Sequence, residues 1–323
     1  MKIGNAALTH GLILAPMAGY TDRAMRLICR RHGAEYTVTE MVSAKAVVYE
    51  DKKTASLARV LDDEGNVAIQ LFGKEPEIMA EAAKILVETV GSHAAAIDIN
   101  MGCPVKKIFS NGEGSALMKS PALIEKITAA VSLSTDRPVT VKLRAGIDAS
   151  SRNATECALA AEAGGAAAVC IHGRTRAEMY GGRADRELIA RVKAAVKIPL
   201  IANGDIASAA EALDMLSITG ADAIAIGRGA VGNPFIFEEI RAAISGEDYT
   251  PPTQRERIEA ALRQLDLARL DKGEAVAVPE SRKQIALYLK SFRGAAAIRA
   301  AINRSATYSE VEEILKSYTD FEE

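Results

Sequence analysis

The sequence is short of the features that most directly announce a function. It has no tryptophan, and only four histidines and four cysteines among 323 residues. The cysteines, Cys29, Cys103, Cys157 and Cys170, form no CxxC pair, which argues against a metal knuckle or a redox dithiol. Neither sign of charge is in excess. The 40 Lys and Arg against 42 Asp and Glu leave a net charge of -2, so no global field draws the chain to nucleic acid and any basic surface has to be local. No apolar run is long enough to span a bilayer. The N-terminus carries no long apolar stretch with a cleavage site, so no signal peptide is expected and a soluble, cytoplasmic protein is. What is plentiful is apolar residue, 49% against 25% charged, enough for a sizeable core and too much for disorder.

Short apolar runs alternate with amphipathic segments through the first 240 residues. The runs are 12–15, 36–39, 67–71, 95–99, 139–142, 168–171, 200–202 and 223–226. They are too short for helices and end in polar or glycine residues, as buried strands do. Helical spacing lies between them at 75–90, 121–134, 153–163, 185–195 and 208–216. This alternation predicts a parallel sheet with crossover helices, and eight strands predict a closed (β/α)8 TIM barrel. A doubly wound sheet is the alternative, but the first turn reads Ala15-Pro16-Met17-Ala18-Gly19 rather than GxGxxG. Beyond Ser245-Gly246-Glu247-Asp248 and Pro251-Pro252, which mark a linker, only helical periodicity follows, at 255–270, 281–292, 294–302 and 309–318. The expected organisation is a barrel over residues 1–244 and a small all-helical domain over 253–323.

In such barrels chemistry sits at the carboxyl ends of the strands. Polar, cationic or glycine residues gather at these ends: Glu40, Gln70, Asn100, Lys142 with Arg144, His172 with Arg174, Asn203-Gly204-Asp205 and Gly227-Arg228. Polar loops are common, but not at seven ends of eight. The last two ends suit a phosphate, since glycine lets the backbone approach its oxygens and Arg228 adds charge. Gln70 offers donor and acceptor to a heterocycle edge, and Lys142 offers positive charge beside a cofactor. His172 at its strand end is either a ligand or a satisfied core group. Cys103 lies in a turn fixed by Gly102 and Pro104, which presents the thiol to the barrel mouth as nucleophile or proton donor. The other three cysteines read as small buried hydrophobes, the usual state of a free cysteine.

Several segments, taken in order, resemble the tRNA-dihydrouridine synthases, nearest to their bacterial B-type subfamily. They are Ala15-Pro16-Met17-Ala18-Gly19-Tyr20-Thr21-Asp22, Asn100-Met101-Gly102-Cys103-Pro104 with Lys106-Lys107 and Gly114-Ser115-Ala116-Leu117, Lys142-Leu143-Arg144, His172-Gly173-Arg174-Thr175-Arg176, Asn203-Gly204-Asp205-Ile206 and Gly227-Arg228. The resemblance spans the chain, tail included. It implies FMN as cofactor and NADPH as electron donor. The implied FMN contacts are Pro16, Met17, Ala18, Gln70, Lys142, His172, Asn203, Gly204, Asp205, Gly227 and Arg228. It makes Cys103 the catalytic acid and puts Asn100, Arg144 and Arg174 on the substrate side; no metal is implied. Hydride would enter uracil at C6 and a proton at C5 from the opposite face. A thiol, with a reference pKa of about 8.5, is acidic enough for the second task.

The implied partner is tRNA, whose target base must leave its stack; no protein partner or membrane is expected, and the chain is expected to be a monomer. Between Ser281 and Arg304 lie Arg282, Lys283, Lys290, Arg293, Arg299 and Arg304 without an acidic residue. Lys283 and Lys290, seven apart, are expected to share a helix face toward RNA, although scattered lysines usually mean a solvated face. Three other functions fit parts of the pattern: an FMN barrel acting on a free molecule such as dihydroorotate, a non-catalytic RNA-binding barrel, and a barrel lyase using Lys142 as a Schiff base.

Overall fold

A computed structural model describes residues 1–51, 56–290 and 292–319. Eight parallel strands form the barrel: β1 (Leu12–Leu14), β2 (Tyr36–Val38), β3 (Val67–Phe72), β4 (Ala94–Asn100), β5 (Val139–Arg144), β6 (Ala168–His172), β7 (Leu200–Asn203) and β8 (Ala223–Ile226). Each pairs with its successor, β8 pairs with β1, and the sheet closes. A two-residue strand, Val42–Ser43, extends β3 at its end, and a hairpin of Lys2–Ile3 with Ala6–Ala7 buries Ile3 and Leu8 against the barrel interior.

The strands obey a period of two, because successive side chains leave opposite faces. Leu12, Leu14, Val67, Ile69, Leu71, Val139, Val141, Leu143, Ile224 and Ile226 face outward into the main core under the helices. Ile13, Tyr36, Ala68, Ala96, Ala168, Cys170, Ile201, Ala223 and Ala225 fill the inside. The inward set changes character along each strand. On β3 it runs Ala68, Gln70; on β4 Ala96, Asp98, Asn100; on β5 Thr140, Lys142, Arg144; on β6 Ala168, Cys170, His172; on β7 Ile201, Asn203. The barrel is therefore apolar at its amino end and polar at its carboxyl end.

Around the strands lie α1 (Arg23–Arg31), α2 (Ala44–Val48), α3 (Pro76–Val90), α4 (Lys106–Ser110), α5 (Pro121–Ser134), α6 (Ala154–Ala163), α7 (Arg186–Ala195), α8 (Ala209–Thr219) and α9 (Ile236–Ser245). Their ends follow local chemistry. Asp22, Asp185 and Ser208 cap α1, α7 and α8 by accepting the backbone N–H three residues on, and Gly220 and Gly246 close α8 and α9 in the left-handed region. Helix α8 runs three residues past its expected end, to that glycine.

The tail holds α10 (Gln254–Lys272), α11 (Glu274–Tyr288), α12 (Ala295–Ile302) and α13 (Tyr308–Thr319) around a second core that includes Ile258, Leu265, Ile285, Tyr288, Phe292 and Leu315. Helix α11 differs from expectation. It begins seven residues before Ser281 and carries Pro279 inside it, where proline ordinarily stops a helix. It also ends at Tyr288, so Lys283 lies on it and Lys290 lies in the turn beyond: the two do not share a helix face. The tail docks on the β1–α1 loop and on α1. Lys272 Nζ bonds Asp22 at 2.7 Å, Gln284 Nε2 donates to Tyr20 O at 3.2 Å, and Leu267, Ala268 and Ala277 pack on Ala24 and Leu27. Among the described residues no helix is long and apolar enough to cross a membrane.

Candidate active site

The carboxyl ends of the strands open into a cavity of ≈ 1650 Å³. Of the residues expected at a site, all but Glu40, Arg174 and Lys283 line it. The tail completes the wall with Arg257, Leu287 and Lys290; in the sequence the tail carried only an RNA-facing surface.

Strand register assembles the floor. Asn100 stands beside Lys142, Arg144 beside His172, and Asn203 beside both His172 and Ala225. Lys142 Nζ donates to Asn203 Oδ1 at 3.0 Å, and Asn203 Nδ2 donates to Ala225 O at 2.7 Å, which fixes the orientation of that amide. Burial pushes the Lys142 ammonium below its ordinary range, with Arg144 adding to the effect. His172 Nδ1 accepts the Arg174 N–H at 3.2 Å, so Nε2 carries the proton. Burial, then Lys142, Arg144, Arg174 and Arg228, push the imidazole down to about 2. It is a neutral donor at any working pH, and the cations that depress it make the cavity a place for negative charge.

The Cys103 loop is pinned from both sides. Asn100 Oδ1 accepts the N–H groups of Gly102 at 3.2 Å and Cys103 at 2.8 Å, while Cys103 O accepts Ser115 Oγ at 2.8 Å and its N–H at 3.1 Å. A side chain at Gly114, whose φ is +59, would meet Cys103 Cβ at 3.0 Å, so glycine is needed there. Arg144 Nε holds Gly102 O at 2.9 Å, and its Nη1 holds Thr175 O and Met179 O, both at 2.9 Å. Cys103 is buried, 8% exposed as a residue. Burial pushes it above the ordinary thiol range, while the Val105 N–H, Arg144 and Lys142 pull the other way. It therefore holds its proton at neutral pH, beside two cations that would stabilise the thiolate once that proton is gone.

Near the β7 end the structure departs from expectation for Arg174 and gives Asp205 a bracing partner. Arg174, expected beside substrate, is buried behind the wall with its guanidinium spent on Gly181 O (2.8 Å), Gly182 O (2.7 Å) and Asp205 Oδ1 (2.7 Å). Asp205, expected to touch the cofactor, gives its carboxylate to Arg174 and to Ala184 N–H at 2.8 Å. Burial would raise this carboxyl, but Arg174, Ala184 N–H and Arg228 outweigh it and hold it low. Asp205 still lines the cavity, with its backbone at φ +50 beside Gly204 at φ +125. Arg228 is by contrast largely exposed, 3.6 Å from Asp205 and 4.9 Å from the Tyr180 ring centroid. A Cβ at Gly227 would lie in ordinary contact with Met17 Sδ at 3.5 Å and Ala15 Cβ at 3.9 Å.

Glu40 does not line the cavity; its carboxylate accepts the Gly19 N–H and tethers the first loop. Lys283 lies with Nζ 4.3 Å from the ring centroid of Tyr20, on the same loop, and does not line the cavity. Sequence reasoning overlooked Tyr180 and Arg257, which lie in a loop and on a tail helix without any local signal. It also overlooked Asp98, which the period of two does mark: it lies two residues before Asn100, on the same face. Among the described residues no group of three or more potential metal ligands occurs.

A planar anionic heterocycle with a phosphate fits these walls. The floor offers an ammonium (Lys142), an amide (Gln70) and a neutral N–H (His172). The far end offers a cavity-lining glycine (Gly227) and an exposed guanidinium (Arg228), residues of the kind that bind phosphate.

Residues 13–322 match the family described as dihydrouridine synthase (Dus). The chain is 42% identical over 306 residues to tRNA-dihydrouridine synthase B of Pseudomonas aeruginosa, covering 94% of this chain and 91% of that protein. It is 40% identical over 321 residues to tRNA-dihydrouridine synthase B of Vibrio cholerae, covering 99% of each. A probable tRNA-dihydrouridine synthase of Rickettsia conorii is 40% identical over 94% of this chain and 91% of its own length. Among solved structures, histamine dehydrogenase from a Rhizobium species superposes with a TM-score of 0.56 at 14% identity. That match covers 83% of this chain and 50% of the enzyme, and it shows the barrel fold. A barrel with this cavity, matched from its first strand to the tail, leaves no ambiguity of kinship: the chain belongs to the dihydrouridine synthase family.

Proposed function

We propose that the protein is an FMN-dependent tRNA-dihydrouridine synthase that reduces the C5=C6 bond of uridine in tRNA, with NADPH as electron donor, acting as a cytoplasmic monomer. Pro16, Met17, Ala18, Gln70, Lys142, His172, Asn203, Gly204, Gly227 and Arg228 would hold the cofactor, with Asp205 contributing backbone and the support of Arg174. Bound reduced flavin supplies the hydride for C6 of the base. Asn100 and Arg144 would border an extruded uracil, whose removal from the stack costs a few kcal/mol. Lys290 and Lys283 would face the phosphate backbone.

The observation that carries the reading is the placement of Cys103, whose turn is pinned by Asn100 and Ser115 and lines the cavity beside Arg144. A general acid must hold its proton until the transition state and then release it. Burial pushes the thiol above its ordinary range, which favours the protonated form. As charge grows at C5 and O4 the S–H bond breaks, the proton passes to C5, and the thiolate is left near Arg144 and Lys142. Both cations already act on that sulfur.

The test is Cys103→Ala. The purified variant is expected to retain flavin absorbance at the wild-type stoichiometry and to lose about 10²–10⁴-fold in dihydrouridine formation on unmodified tRNA, the range for removal of one positioned acid. Full turnover in the variant, or preferential reduction of free orotate by the native protein, overturns the reading.

A further inference from the structure

Beneath the cavity floor lies a carboxylate that no step above uses. Asp98 is on β4, 4% exposed, inside the barrel. Parallel register sets three polar side chains abreast, Gln70 on β3, Asp98 on β4 and Thr140 on β5. Gln70 Nε2 donates to Asp98 Oδ2 at 2.7 Å, and Thr140 Oγ1 lies 2.5 Å from Asp98 Oδ1. One row higher, Asn100 Nδ2 donates to Gln70 Oε1 at 2.9 Å, and Asn100 Oδ1 accepts the N–H groups of Gly102 and Cys103.

These bonds form a chain with one polarity. At the upper end are backbone N–H groups, which can only donate. At the lower end is Asp98 Oδ2, which accepts from Gln70 whether the carboxyl is ionised or carries its proton on Oδ1 toward Thr140. Between them stand two amides, each free in principle to face either way. Both ends demand the same direction, so each amide has one orientation: oxygen toward the cysteine loop, nitrogen toward Asp98. In an apolar interior, breaking such a chain leaves a buried donor or acceptor without a partner, which costs about 1–3 kcal/mol per group.

We infer that Asp98 is a positioning residue: it fixes the polarity of the Gln70 amide at the cofactor side of the cavity and, through Asn100, holds the Cys103 turn in place. The inference rests on the proposed flavin chemistry for its consequence, but not for its geometry. Removing the carboxylate frees Gln70 Nε2, lets that amide turn, and withdraws the acceptor that anchors Asn100. The Cys103 N–H then loses a fixed partner and the turn loosens. An asparagine at 98 keeps the polarity, its oxygen toward Gln70 and its nitrogen toward Thr140 Oγ1, which then accepts.

The experiment compares Asp98→Ala with Asp98→Asn by two readouts. In flavin-free protein, the rate of Cys103 alkylation by iodoacetamide, corrected with a Cys103→Ser control for the other cysteines, is expected to rise at least fivefold in Asp98→Ala. It is expected to stay within twofold of wild type in Asp98→Asn. In the flavin-loaded enzyme, kcat on tRNA is expected to fall at least tenfold in Asp98→Ala with KM changed less than twofold, and to recover to within threefold in Asp98→Asn. Asp98→Leu, which refills the space, is read identically if the alanine variant does not fold. A wild-type alkylation rate in folded Asp98→Ala or Asp98→Leu overturns the inference, as does an Asp98→Asn protein that behaves like Asp98→Ala. Alkylation needs neither flavin nor tRNA, so a native protein inactive on tRNA would sink the functional reading and leave this one standing on its own result.

Discussion

The floor and the rim of the cavity are built by opposite means. The floor comes from the barrel: Gln70, Asn100, Lys142, His172 and Asn203 stand at the ends of successive strands, with Asn100 bonded to Gln70, Lys142 to Asn203, and Asn203 to Ala225 O. Part of the rim comes from the tail: Arg257, Leu287 and Lys290, with Lys290 and Leu287 exposed. A buried cation acts in low dielectric, where its field on a neighbour is strong and insensitive to salt. An exposed one is screened within about 10 Å at 0.1 M salt. The floor is thereby suited to chemistry that tolerates no displacement, and the rim to a large, mobile, charged substrate. Changes to the floor should appear in kcat, and changes to the rim in KM and its salt dependence.

The strongest way to break this contrast is at Lys142. Lys142→Met preserves the stem and removes the charge that faces Asn203 Oδ1. Loss of one preorganised electrostatic group in a water-poor site costs about 10²–10³-fold. We expect kcat to fall by about 100-fold with KM for tRNA within twofold, in steady-state assays at saturating NADPH. If KM rises instead while kcat holds, the floor is a binding surface and the division fails.

At the rim the expected effect is smaller and of another kind. Lys290→Ala removes one exposed cation from the cavity mouth. KM for tRNA should rise about 3–10-fold, kcat should stay within twofold, and the slope of log affinity against log salt should flatten by about one, as for a single lost phosphate contact. An unchanged slope removes Lys290 from the RNA surface.

The same contrast explains which features were legible in the sequence. The eight strands were readable as apolar runs because a parallel barrel strand is buried on both faces and its ends are polar. The floor was readable in part because polar residues at strand ends collect in space however far apart they lie in the chain. Asp98 escaped by being inside a strand rather than at its end, although its two-residue spacing from Asn100 put it on the cavity side. Arg174 was misplaced because a guanidinium near a site is equally suited to bind a ligand or to brace a loop. Only the carbonyls of Gly181 and Gly182 and the carboxylate of Asp205 decide for bracing. The tail was legible only as helices. Periodicity gives the apolar face of a helix but not what covers it, so Arg257 and Leu287 as cavity wall depend on long-range docking that no local pattern records.

That docking gives the smallest expected effect. A second directional chain runs through the tail core: Tyr288 Oη donates to Gln264 Oε1 at 2.7 Å, Gln264 Nε2 to Gln284 Oε1 at 2.7 Å, and Gln284 Nε2 to Tyr20 O on the first barrel loop. All three side chains are buried, so their bonds orient the tail on the barrel where apolar packing alone would allow sliding. Tyr288→Phe removes one hydroxyl and leaves Gln264 Oε1 without its donor, which costs about 1 kcal/mol. Thermal unfolding followed by circular dichroism should shift down by about 2–4 °C. Because the tail supplies rim and not floor, KM for tRNA should rise by no more than about threefold and kcat should be unaffected. A fall in kcat larger than the rise in KM would mean that the seating of the tail on Tyr20 is transmitted to the floor, and that the two halves of the cavity are one device.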